Sequence, residues 1–111
     1  MEIQDSKIND VTVISVQGSL DAMTAPDLAK HISGLVAKGN IMLVADFSQV
    51  DYTSSAGLRV LLGAIKETRA QSGDMRLASV QADVLKVLKL SGFTSILKMF
   101  DDTDAAVASY V

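Results

Sequence analysis

The sequence predicts an α/β domain whose mixed sheet is parallel in its later part and covered by helices. Two observations carry this. Ile41-Met42-Leu43-Val44-Ala45 is a continuous apolar run closed by Asp46, the pattern of a strand buried on both faces, as parallel strands usually are. From there to the C-terminus, strand-like runs alternate with segments of helical apolar spacing, which calls for crossover connections and helices laid on a sheet.

The elements follow in order. Val11 to Gln17 is rich in β-branched residues and partly alternating, so it reads as a strand, paired with a weaker one over Glu2 to Lys7 through a turn near Asn9-Asp10. Gly18-Ser19-Leu20-Asp21 closes the second strand. Thr24-Ala25-Pro26-Asp27 has the chemistry of a helix start: a capping hydroxyl, a proline in the first turn and an early acid. Leu28, Ile32, Leu35 and Val36 form that helix's apolar stripe, and Lys38-Gly39-Asn40 stops it. After the strand over 41–46 and a loop, Leu58, Leu61, Leu62 and Ile65 recur at helical spacing, giving a helix over 56–72 that ends near Ser72-Gly73. Met75 to Val80 is the next strand, and Ala82 to Ser91 a strongly apolar helix stopped by Gly92. Ile96 to Phe100 is a last short strand, with a terminal helix over Asp102 to Tyr110 carrying acids in its first turn. Met23, Met42, Met75 and Met99 are expected to fill the core.

With 111 residues, 49% of them hydrophobic, and no repeat or Pro/Gly-rich linker, residues 1–111 read as one domain with a real core. The net charge of −3 argues against a nucleic-acid partner, which would require a basic surface. Without cysteine there is no disulfide framework, thiolate metal site or cysteine nucleophile, which fits the cytoplasm. No signal peptide opens the chain, and no apolar stretch approaches the about 20 residues that span a bilayer, so no membrane insertion is expected. Catalysis is not expected either. The single histidine, His31, lies within the first helix and reads as a partly exposed surface residue. No Gly-x-Ser-x-Gly elbow, phosphate-binding glycine loop or His/carboxylate cluster is present, and no catalytic residue, metal ligand or cofactor is assigned.

The chemistry gathers instead in Asp51-Tyr52-Thr53-Ser54-Ser55-Ala56-Gly57-Leu58. Ser54 or Ser55 falls at or beside a helix N-cap, where a hydroxyl can accept from unpaired amides of the first turn. Capping alone accounts for a serine there. A phosphate at the same place would gain from those amides and the positive end of the helix dipole, with Gly57 leaving the turn uncrowded. Asp21 and Asp46 both fall at carboxyl ends of strands, the edge where α/β sheets place functional groups, although turn and cap chemistry is the commoner reason for an aspartate there. Tyr52 either packs beside this loop or faces a partner.

Taken together, Gly18-x-Leu20-Asp21, the apolar strand ending in Asp46, and Ser54-Ser55-Ala56-Gly57-Leu58 with Leu61 resemble the STAS domain of bacterial anti-sigma factor antagonists over nearly the whole chain. The resemblance implies the STAS fold: a mixed sheet of four to five strands with about four helices packed mainly on one side. It also implies a partner-switching role. Such an antagonist binds an anti-sigma factor with serine kinase activity while unphosphorylated, is released when phosphorylated, and is restored by a PP2C-like phosphatase. Carried over by position, the acceptor is Ser55. Where the family usually has aspartate before the acceptor this chain has Ser54, a rival hydroxyl that remains the alternative acceptor, and Ala56 stands where Ser or Thr is usual. The implied partner-binding surface comprises Asp21, Thr53, Ser54, Ser55, Ala56 and Gly57. The competing reading is a non-catalytic STAS scaffold, in a stress-signalling assembly or as the cytoplasmic subunit of a lipid-transporting ABC system.

Overall fold

The computed structural model describes residues 1–110. Five strands form one sheet in sequence order: β1 (Glu2–Ile8), β2 (Val11–Leu20), β3 (Met42–Thr53), β4 (Asp74–Ala78) and β5 (Met99–Phe100). β1 and β2 are an antiparallel hairpin turning at Asn9, whose φ of 56° is the left-handed conformation that asparagine tolerates. Every later pairing is parallel. Four helices connect and cover the sheet: α1 (Ala25–Ala37), α2 (Ser55–Arg69), α3 (Ala82–Leu90) and α4 (Thr103–Ala108).

Helix placement follows from which residues each strand turns inward. Ile14, Val16, Leu20, Leu43, Ala45, Phe47, Val50, Met75 and Leu77 form one core with Leu28 and Ile32 of α1, Leu61 and Ile65 of α2, and Val84 and Leu88 of α3. On the other face Val11, Val13, Val44 and Ala78 pack against Ala106 and Val107 of α4. Three helices thus lie on one side and one on the other, the one-sided bias expected of the STAS fold. At the start of β4, Asp74 is buried and ionically paired, receiving Arg69 Nε at 2.9 Å and Arg76 Nε at 3.1 Å, while Met75 N donates to it at 2.9 Å. Tyr110 Oη shares its one proton between the Leu43 and Asp74 carbonyls, 2.6 and 2.8 Å away, and Arg76 stacks on its ring. Burial pushes that phenol's pKa up, so the hydroxyl stays a donor.

Several expectations are corrected. β3 does not stop at Asp46 but continues through Thr53, across the predicted loop, because β2 also continues to Leu20 and offers it a partner. The pairing slips twice, between Ser15 and Gln17 and between Gly18 and Ser19, and each slip inserts an extra residue on the β3 side. Phe47, Val50 and Thr53 are therefore all buried at a spacing of three. β4 starts and ends earlier than expected, with Ser79 at φ 58° closing it. Ile96–Lys98 are not strand; a 3₁₀ turn over Phe93–Ser95 leaves only Met99 and Phe100 in the sheet. α2 ends at Arg69 rather than near Ser72-Gly73, and Gly73 is required for close approach: a Cβ there would fall 2.7 Å from the Ile41 carbonyl carbon. Met75 is fully buried and Met42 and Met99 partly so, whereas Met23 is 86% exposed on the loop into α1. His31 is partly exposed as expected, with Nε2 2.6 Å from Asp5 Oδ1 of β1.

Candidate functional site

The carboxyl ends of β2 and β3 meet where Leu20 pairs with Thr53, and both chains then turn into helices. Ser54 N donates to Leu20 O at 2.9 Å, tying the start of α2 to the last residue of β2. Ser54 takes the N-cap position with extended backbone, φ −100° and ψ 177°, and its carbonyl accepts from Leu58 N at 3.1 Å. Its hydroxyl does not cap. Ser54 Oγ is buried without a hydrogen-bond partner, so no side chain accepts from the free amides of the first turn. Ser55, the first residue of the helix, is exposed.

Beneath this turn the packing is tight. A Cβ added to Gly57 would meet Thr53 Oγ1 and lie 2.7 Å from Leu20 Cγ, so only glycine lets α2 approach the ends of both strands this closely. Thr53 and Gly57 are buried, Ser54 and Ala56 half-buried. The first pair shapes the turn from below, while Ser55 and the edges of its neighbours reach solvent.

Asp21 is fixed by the loop that follows β2. Its carboxylate accepts from Met23 N at 2.9 Å and Thr24 N at 3.1 Å, and the Thr24 amide, then the Met23 amide, hold its pKa below the ordinary 3.8. The Thr24 hydroxyl, expected to cap α1, donates back to Ser19 O at 2.7 Å and accepts from Asp21 N, so it braces the loop instead. Asp46 makes a similar turn, accepting from Ser48 N at 2.9 Å at the first irregularity of β3. Asp46 therefore belongs to strand geometry, halfway along β3, and the structure does not bring it to the Ser55 turn. Tyr52 is 53% exposed opposite Ser19, so its ring is open to solvent.

Sequence reasoning passed over two residues of this surface. Met23, assigned to the core, projects into solvent between the two amides that hold Asp21; its place inside Ser19-Leu20-Asp21-Ala22-Met23-Thr24, between a strand end and a helix start, was the available signal. Arg59 is exposed one turn into α2 and borders a groove of about 450 Å³ between α1 and α2, together with Ala22, Ala25, Ala56, Val60 and Gly63. Among the described residues no group of three or more His, Asp or Glu side chains could hold a metal ion, and no helix is long and apolar enough to cross a membrane.

Fold, edge and turn define an α/β domain with a mixed sheet that offers an exposed hydroxyl at the start of α2. The family profile of the STAS domain matches residues 2–106, and the chain belongs to the STAS domain family. It is 33% identical over 110 residues to BtrV of Bordetella bronchiseptica, named a candidate anti-sigma factor antagonist; the match covers 99% of this chain and 95% of that one. It is 30% identical over 92 residues to RsfB of Mycobacterium tuberculosis, named an anti-sigma-F factor antagonist, covering 83% and 75%. A crystal structure from Thermotoga maritima superposes with a TM-score of 0.92 over 96% of this chain and 92% of that one; at 22% identity it speaks for the fold alone.

Proposed function

We infer that this protein is a non-enzymatic anti-sigma factor antagonist working by partner switching in the cytoplasm. In its unmodified form it binds an anti-sigma factor that is also a serine kinase. Phosphorylation of Ser55 dissociates the pair, and a PP2C-like phosphatase reverses the modification. The observation that carries this reading is the exposed Ser55 hydroxyl at the start of a fifteen-residue helix, beside an ordered Asp21, in a chain similar along its whole length to a protein named for that role.

The contact surface consists of Asp21, Ser54, Ser55 and Ala56, flanked by Met23 and Tyr52, with Thr53 and Gly57 setting its shape from beneath. A large exposed thioether and a phenol beside a small polar turn give the apolar anchors that protein interfaces concentrate at their centres. A phosphate on Ser55 adds about 1.5 to 2 negative charges inside that contact. A penalty of about 3 kcal/mol weakens binding more than a hundredfold. The fold has no need to change, because the phosphate lies outside the packed core.

The test is binding of the cognate kinase by wild type, Ser55→Ala and Ser55→Asp proteins. Ser55→Ala should bind, and Ser55→Asp should lose binding while keeping wild-type circular dichroism and melting. Tight binding by Ser55→Asp would exclude the electrostatic release.

A further inference from the structure

We propose that Arg59 is a positioning residue for the phosphorylated state: its guanidinium folds back along α2 and clamps the phosphate of phosphoserine 55. This rests on the reading of Ser55 as the acceptor, and concerns what the modified site does next.

Ser55 and Arg59 are four residues apart on α2, so they lie one above the other on the same face. In the unmodified protein Arg59 borders the α1–α2 groove beside Ala56, and because helical side chains lean toward the N-terminus, its guanidinium can swing back over the first turn once a phosphate is there. Both residues are exposed, leaving the space between them open to three phosphate oxygens. Arg59 is also uncommitted: none of the three ion pairs among the described residues uses it, whereas Arg69 and Arg76 are both held by Asp74. The nearby acids are otherwise engaged. Asp21, from the loop before α1, is bonded to the Met23 and Thr24 amides, and Glu67 accepts from Ser33 at 3.3 Å. The first turn of α2 contains no acidic side chain.

An independent observation comes from Ser54. Its Oγ sits at the cap position, buried and unpartnered, so the amides it would ordinarily serve lack a side-chain acceptor. Phosphate oxygens supply one. A phosphate on Ser55 therefore meets the free amides from below and a planar guanidinium from above, a pairing that favours bidentate, charge-assisted hydrogen bonds. Release of the partner then has two contributions: an anion is added to the contact surface, and the Arg59 cation bordering that surface is drawn onto it. A phosphatase must displace Arg59 to reach the phosphorus.

The experiment uses the full chain with phosphoserine incorporated at position 55 during translation, so it does not depend on any kinase. Phosphorus NMR titrations compare the wild type with Arg59→Gln and Arg59→Lys. The second ionisation of the phosphate should lie about half a pH unit lower in wild type than in Arg59→Gln, the size an exposed ion pair supports. Arg59→Lys should fall between them, and about 1 M salt should close the gap. A generic phosphatase should act faster on Arg59→Gln. Superimposable titrations for wild type and Arg59→Gln, with circular dichroism confirming that both are folded, overturn the clamp. Failure of the underlying reading has a different signature: the native phosphate would be found on another residue while the position-55 titrations still separate.

Discussion

Replacing Gly57 by alanine tests the packing that sets the Ser55 turn. Helix propensity favours the change by up to about 1 kcal/mol. Against this, the new methyl would sit 2.7 Å from Leu20 Cγ and 2.9 Å from Leu20 Cδ2, and closer still to Thr53 Oγ1. Leu20 has no exposed surface and Thr53 is 3% exposed, so neither can swing into solvent to relieve the clash. Overpacking of this kind costs about 3 kcal/mol at its upper range, leaving a net loss of about 2 kcal/mol. Unfolding entropy of about 2.1 cal/mol/K per residue, taken over 111 residues, converts each kcal/mol into about 4 °C, so the melting temperature should fall by about 9 °C. Gly63 is the internal control: it lies in the same helix with nothing within 4 Å of an added Cβ, so Gly63→Ala should raise the melting temperature by about 4 °C. Calorimetry on the two variants reads both signs. Equal shifts, or a stabilised Gly57→Ala protein, would show that the junction of β2, β3 and α2 has slack and does not hold Ser55 rigidly. Placing Gly57→Ala in a background that also carries Leu20→Ala and Thr53→Ala should recover more than half of the loss, since the clashing atoms are then gone.

Three further outcomes follow from the same geometry. Ser54→Ala should leave chemical-denaturation stability unchanged or raise it by about 1 kcal/mol, because the hydroxyl is buried without a partner; a loss of about 1 kcal/mol would mean that it caps after all. Asp74→Asn should cost about 3 kcal/mol in the same assay, since it leaves two guanidinium groups facing an uncharged amide, and a change under about 0.5 kcal/mol would assign the pair to the solvated surface. Asp21 stabilises the fold in its ionised form, because its folded pKa lies below the unfolded 3.8. That contribution is complete above 3.8 and is lost as pH falls through the lower folded value, so Asp21→Asn should be the less stable protein near neutrality and converge with wild type in acid. A gap between the two that persists or widens as pH falls would reverse the sign.

The helices and the hairpin were legible in the sequence because local rules decide them. Leu28, Ile32 and Val36 repeat at helical spacing, and Asn9-Asp10 can take the left-handed turn that a hairpin needs. The far half of β3 was not legible. Phe47, Val50 and Thr53 are buried three residues apart, a period belonging to neither a regular strand nor a helix, and it arises only from two slips against β2 that no local pattern records. The same nonlocality hid Met23, whose exposure depends on the amides around it turning toward Asp21. At the candidate site, the helix start at Ser54-Ser55 could be placed from the sequence. The failure of Ser54 to cap could not, because it depends on how Leu20, Thr53 and Gly57 pack beneath the turn, and Arg59 gains interest only once that turn is seen without an acceptor.

The switch at Ser55 is tested most directly by intact-mass and fragmentation mass spectrometry of the protein from its native cells, compared with a Ser55→Ala strain. The expected result is a single phosphate on Ser55 that rises and falls with growth conditions and vanishes in the mutant. A protein that stays unmodified across conditions, or whose phosphate persists on Ser54 in the mutant, would contradict the assignment of Ser55.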